Sequence, residues 1–175
     1  MRRIDSRLSD IFIMKTLVIG LGNPILGDDG VGWVVAEQIR KALTDRPMYT
    51  VDLQPVEVDC ASLGGLSLME RLTDAERVIL IDSIFTGRKK IGTVSQFTLS
   101  DIPDLTAGHS ASAHDTSLHN ALNVGRSMHI DLPEDGNVFI VAIEAEAVYD
   151  FSQELSPAVA GAVPIAVKAV LDLIV

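Results

Sequence analysis

The chain has 175 residues, a formal net charge of -10 and a single cysteine. This length suits one domain with a core of its own, and the acidic balance argues against nucleic acid or an anionic membrane as a partner, because both require a basic surface. One cysteine excludes an internal disulfide and favours a reducing compartment, so we expect a cytoplasmic protein.

The apolar residues indicate an α/β protein. They make up 47% of the chain while only 5% of residues are aromatic, and they form short runs of the kind found in strands buried on both faces. No run approaches the ~20 residues that span a membrane. Strands alternate with helical patterns, which predicts a three-layer α/β/α sandwich around a central, mostly parallel, five-stranded twisted sheet.

Residues 1–13 differ from the rest of the chain. They hold five charged residues and an apolar stretch of only three, which is too short for a signal peptide. We expect them to be a loose N-terminal arm or an over-extended start, followed by a single domain over residues 14–175.

The predicted elements follow one another without repeats. A first strand over residues 16–19 leads through a glycine-rich loop to a helix over 29–43, and Pro55 indicates either an edge position or a bulge for the second strand. Residues 100–115 form a long loop, which is typical of a functional segment. Ser156 and Pro157 mark the start of the last helix. The remaining elements are a second strand over 51–58, a helix over 63–72, strands over 77–82 and 93–99, a helix over 116–128 and a fifth strand over 138–143.

The glycine-rich loop reads GLGNPILGDDGVG over residues 20–32. It has no basic residue, and Asp28 and Asp29 would repel a phosphate from the helix that they open. The third glycine of a dinucleotide fingerprint is also missing at the proper spacing. The loop is therefore interpreted either as a helix cap or as part of a cation site.

Candidate ligands follow three of the predicted strands, where parallel strands end at one edge of the sheet. Carboxylates and an imidazole that face one point favour a divalent cation between them, and Ni²⁺, Zn²⁺ and Mn²⁺ all suit such ligands. The candidates are Asp28 or Asp29 after the first strand, Asp82 after the third, and His109, His114 or His119 near the loop after the fourth.

Other catalytic patterns are missing. The chain has no His-Glu-x-x-His zinc motif and no Gly-x-Ser-x-Gly elbow. Cys60 has no local base and is interpreted as a small buried hydrophobe. His114 and His119 are five residues apart and would not share a helix face, so one of them is expected to have no role at the site.

Four motifs together resemble the hydrogenase maturation endopeptidases, the family that trims the large subunit of nickel-iron hydrogenases. Between Lys15 and the C-terminus they occur in the order and spacing of that family. The motifs are GLGNPILGDDGVG at 20–32, VILIDSI at 78–84, SAHDTSL at 112–118 and ELSPAV at 154–159.

The resemblance implies an aspartyl-type, metal-dependent peptidase. The family's metal-contacting positions fall on Asp29, Asp82 and His114, which would also carry the catalysis. The implied reaction removes the C-terminal extension of a hydrogenase large-subunit precursor, and the nickel would arrive with that precursor. The enzyme is expected to act as a monomer. Relatives have Asp-Gly-Gly-Thr where this chain has DCAS at 59–62, a change that concerns the identity of the substrate.

Two alternatives remain at this point. GLGNP also resembles the start of peptidyl-tRNA hydrolases, but those enzymes need a histidine soon after the loop and a basic face, whereas the first histidine here is His109. The chain could also be a non-catalytic metallochaperone or docking module that binds the same nickel-loaded precursor without cutting it.

Overall fold

The fold is described from a computed structural model that covers residues 15–45, 55–102, 113–146 and 151–174, with side chains in the third range from residue 118 onward. Residues 1–13, which we expect to be an arm, lie outside the described residues.

A five-stranded sheet with the order β2-β1-β3-β5-β4 forms the middle of the molecule. Four of its strands are parallel, and β4 pairs antiparallel with β5 at one edge. The strands are β1 (Thr16–Leu21), β2 (Val56–Ala61), β3 (Arg77–Ile84), β4 (Val94–Thr98) and β5 (Val138–Glu144); the helices are α1 (Val31–Thr44), α2 (Gly65–Arg71), α3 (Ala113–Ser127) and α4 (Pro157–Ile174).

The helices cover both faces of the sheet. Alternate side chains of a strand point to opposite faces, so each strand contributes to two cores. Leu80 of β3 packs with α2 and α3, whereas its neighbours Ile79 and Ile81 pack with α1 and α4. The predicted three-layer α/β/α sandwich with a mostly parallel five-stranded sheet is confirmed.

Several element boundaries differ from the sequence prediction. The second strand runs on to Ala61, and its predicted start at 51–54 lies outside the described residues. The third strand continues through Asp82 to Ile84, because residues 82–84 still pair with β5. Pro55 does precede an edge strand, as predicted.

Helix α4 is more apolar than the sequence analysis allowed for. Its 18 residues have a mean hydropathy of 1.7, so by length and composition alone it could cross a membrane. One face of the helix, including Val159, Val163 and Val170, belongs to the core shared with α1 and the sheet. A core helix that packs on a sheet commonly has this composition.

Candidate active site

The crevice of this sheet lies between the carboxyl ends of β1 and β3. The chain leaves β1 toward β2 on one side, while the strands after β3 are added on the other side. Such a switch point is where open α/β sheets bind their ligands. The glycine-rich loop and the end of β3 both reach this place.

The glycine-rich loop folds tightly against Asp29. Gly22 has a φ of +112°, and a Cβ at this position would lie 1.9 Å from the backbone oxygen of Asp29. Only glycine tolerates both the conformation and the approach. The backbone amide of Asn23 then donates to Asp29 Oδ2 at 2.7 Å, and this bond holds the half-buried carboxylate at the mouth of the crevice.

The other acid of the pair, Asp28, lies in a different environment. Its side chain is 1% exposed and accepts hydrogen bonds from the Ser156 amide at 2.6 Å and the Ser156 hydroxyl at 2.9 Å. Ser156 immediately precedes α4. Asp28 therefore joins the loop to the start of that helix, and Asp29 is the acid that remains accessible.

Asp82 lies at the same edge of the sheet. The last residue pair between β1 and β3 is Gly20 with Ile81, so Asp82 is the first residue of β3 that has no pairing partner in β1. On its other side, Asp82 still pairs with Ala142 of β5. It is 2% exposed. Its alternation with Leu80 and Ile84 places it on the face covered by α2 and α3.

Ser83 brings the two acidic positions together. It points to the opposite face from Asp82, and its hydroxyl donates to Asp29 Oδ1 at 3.2 Å. Asp29 is thus hydrogen-bonded to the residue that directly follows Asp82, a contact that no pattern in the sequence indicated.

Two of the candidate histidines, His114 and His119, belong to α3. His114 is the second residue of the helix, but its side chain lies outside the described part of the chain, as does all of His109. His119 Nδ1 lies 3.6 Å from Asp135 Oδ2, just before β5 begins, at the edge of the sheet opposite the crevice. Within the described part of the chain, no three His, Cys, Asp or Glu side chains gather as a metal site.

Two further polar residues support the crevice. The fully buried Glu144, at the end of β5, accepts hydrogen bonds from Thr86 N at 2.7 Å, Thr86 Oγ1 at 2.9 Å and Gly87 N at 3.0 Å. It thereby holds the connection that follows β3. Ser62 Oγ donates to Gly22 O at 2.7 Å and holds the glycine-rich loop from the other side. An acid at the end of a buried strand is the sequence signal that could have pointed to Glu144.

Cys60 does not act as a nucleophile in this arrangement. It is partly exposed rather than buried, which corrects the sequence prediction, and its Sγ lies 3.9 Å from Glu37 Oε1. Partial burial, and next the negative charge of Glu37, raise the pKa of the thiol. Because the thiolate is the reactive form, these effects disfavour cysteine chemistry.

Residues 34–173 match the family model described as hydrogenase maturation protease. The chain belongs to this family. The match begins after the glycine-rich loop ends, so the family model and the first-loop motif depend on different parts of the chain. The enzyme is therefore a peptidase of hydrogenase maturation, which confirms the resemblance and rejects the peptidyl-tRNA hydrolase alternative.

Curated relatives and solved structures agree with this assignment. The hydrogenase expression/formation protein HupD of Rhizobium leguminosarum bv. viciae is 25% identical over 154 residues, which cover 88% of this chain and 71% of HupD. HupD of Rhodobacter capsulatus is 25% identical over 162 residues, covering 91% and 71%.

The solved structures show the same fold. The hydrogenase maturating endopeptidase HybD from E. coli has a TM-score of 0.67 at 22% identity and covers 91% of both chains. The [NiFe] hydrogenase maturation protease HybD from Thermococcus kodakarensis has a TM-score of 0.67 at 21% identity, covering 93% of this chain and all of that one.

Proposed function

We propose that this peptidase removes the C-terminal extension of a nickel-iron hydrogenase large-subunit precursor after nickel has been inserted, and that it recognises the nickel through Asp29, Asp82 and His114. The observation that carries the proposal is the arrangement of the crevice: an accessible Asp29 is hydrogen-bonded to the residue next to Asp82 at the switch point of the sheet.

The charges of the crevice favour a substrate that brings a cation. Asp82 is almost fully buried and Asp29 is half-buried, and a cation brought by the substrate would offset the cost of burying negative charge in the crevice. A nickel ion held by the precursor supplies that positive charge, whereas a nickel-free precursor does not. The proposed selectivity for the loaded precursor follows from this difference.

Asp29 has the access that the chemical step requires. Each of its oxygens accepts one hydrogen bond within the protein and retains a lone pair for substrate or water. In the proposed reaction, this carboxylate accepts a proton from the water that attacks the scissile carbonyl. The substrate's nickel would contribute Lewis-acid polarisation of that carbonyl, an effect worth several kcal/mol.

We also propose where and with what the enzyme works. It is a cytoplasmic protein, which agrees with its single free cysteine. It acts as a monomer on the large-subunit precursor, without nucleic acid or membrane.

Processing assays test the proposal directly. Nickel-loaded and nickel-free precursors are incubated with the enzyme, and shortening is followed on gels and by intact mass. We expect loss of a C-terminal fragment from the loaded precursor only. A stable complex with intact precursor would instead favour the docking-module alternative.

Variants then test the site residues. Asp29→Ala and His114→Ala should abolish processing while the thermal unfolding midpoint changes little. His119→Ala is the matched control, because it alters the same helix at the opposite edge of the sheet. Full processing by either site variant would reject the assigned site.

A further inference from the structure

Ser83 is placed to connect the two acidic positions. It is 7% exposed and belongs to β3, a central strand with paired neighbours on both sides. Consecutive residues of a strand point to opposite faces, so one short segment of rigid backbone presents Asp82 to one side and the Ser83 hydroxyl to the other.

The two hydrogen bonds to Asp29 have different origins. The backbone amide of Asn23 belongs to the same loop as Asp29, so its hydrogen bond of 2.7 Å moves with that loop. Among the described residues, the Ser83 hydroxyl at 3.2 Å is the group that ties the carboxylate to the sheet. Removing it leaves one oxygen anchored and lets the other rotate.

We propose that Ser83 is a positioning residue that sets the place and orientation of the Asp29 carboxylate relative to Asp82. This inference rests on the proposed function, in which both acids act on one substrate. A displacement of about 1 Å can cost an enzyme up to about 100-fold in rate, so an anchor of this kind has a measurable effect.

The kinetics of three variants distinguish a role of Ser83 in positioning the Asp29 carboxylate from a general role in stabilising the loop. Ser83→Ala removes the anchor. Ser156→Ala is the matched control, because it removes a serine hydroxyl bond of 2.9 Å to the same loop, at Asp28 Oδ2, and leaves both hydrogen bonds to Asp29 in place. Ser83→Thr keeps a hydroxyl on a β-branched side chain that suits a strand.

With nickel-loaded precursor, Ser83→Ala should lower kcat/KM by roughly tenfold. Ser156→Ala should lower it by less than about twofold, and Ser83→Thr should restore most of the loss. Equal losses in the two alanine variants, or no loss in Ser83→Ala, would overturn the inference.

A second measurement does not depend on activity. The signal of the Asp29 side-chain carboxyl carbon, labelled with ¹³C and observed by NMR at fixed pH, should shift in Ser83→Ala and change much less in Ser156→Ala. If the wild type cleaves no precursor but this signal shifts, the proposed function fails and the positioning role stands. An unmoved signal in Ser83→Ala rejects the positioning role even if the wild type is active.

Discussion

Two adjacent aspartates in one loop have separate roles. Asp28 is buried and accepts both hydrogen bonds from Ser156, whereas Asp29 lies at the mouth of the crevice. We predict that Asp28→Ala lowers the free energy of unfolding by about 1–3 kcal/mol, because it leaves the partly buried amide and hydroxyl of Ser156 without their acceptor. Urea denaturation followed by circular dichroism measures this loss.

A double-mutant cycle identifies the contact. Ser156→Ala removes only the hydroxyl bond and leaves the amide bond in place, so it should cost less than Asp28→Ala. The double variant should be more stable than the sum of the two losses implies. Strict additivity would show that Asp28 acts through some other contact.

At the level of elements, the close packing of α1 on the sheet depends on Gly32. A Cβ at this position would lie 2.3 Å from Leu21 O and 2.5 Å from Ile81 O, both backbone atoms that cannot move aside. We predict that Gly32→Ala destabilises the protein by about 1–3 kcal/mol or more. Gly161→Ala in α4 is the control, because nothing lies within 4 Å of its Cβ and alanine favours a helix by about 0.5–1 kcal/mol. Thermal unfolding should therefore move in opposite directions for the two variants.

The exposed edge of β2 carries a small charge network. Hydrogen bonds from Lys15, and then contacts with Arg71, lower the pKa of Glu57 below its ordinary 4.5. Burial opposes the shift at Asp59, but hydrogen bonds from Arg71 and the Cys60 amide lower its pKa below 3.8. Groups with lowered pKa values in the folded state stabilise it above their ordinary values, and this contribution is lost as the pH falls through the folded values.

Removing Arg71 should therefore matter at neutral pH and not in acid. We predict that Arg71→Met lowers stability at pH 7 by less than ~1 kcal/mol, because the pairs are partly exposed. The difference from wild type should shrink as the pH drops below about 4. Urea midpoints across this range test it, and a difference that grows in acid would contradict it.

Particular residues show which features the sequence could predict. The strand ending at Asp82 and the acid pair at 28–29 follow from local patterns of apolar runs and glycines, and these patterns place both acids at one edge of the sheet. The contact between Asp28 and Ser156 joins positions 128 residues apart, and the contact of Ser83 with Asp29 depends on strand register. Such contacts are set by tertiary packing, which a local pattern does not encode.

For the molecule as a whole, the carboxyl ends and the amino ends of the parallel strands have separate roles. The crevice lies at the carboxyl ends of β1 and β3, whereas residue 15 enters β1 at the opposite end, beside Glu76 and Arg77 at the start of β3. The described part of the chain therefore begins at the end of the strands away from the proposed site. We predict that residues 1–13 are not required for processing.

Deleting residues 2–13 tests this division of the chain. The shortened protein, which keeps an initiating methionine before Met14, should process nickel-loaded precursor with kcat/KM within about twofold of the full chain, because the loop around Asp29 is held by Asn23, Ser62 and Ser83. Its urea midpoint should also be unchanged, because the described core begins at Leu17. A large loss of processing at unchanged stability would instead make the first residues part of precursor binding, since they could then act only by contacting the substrate.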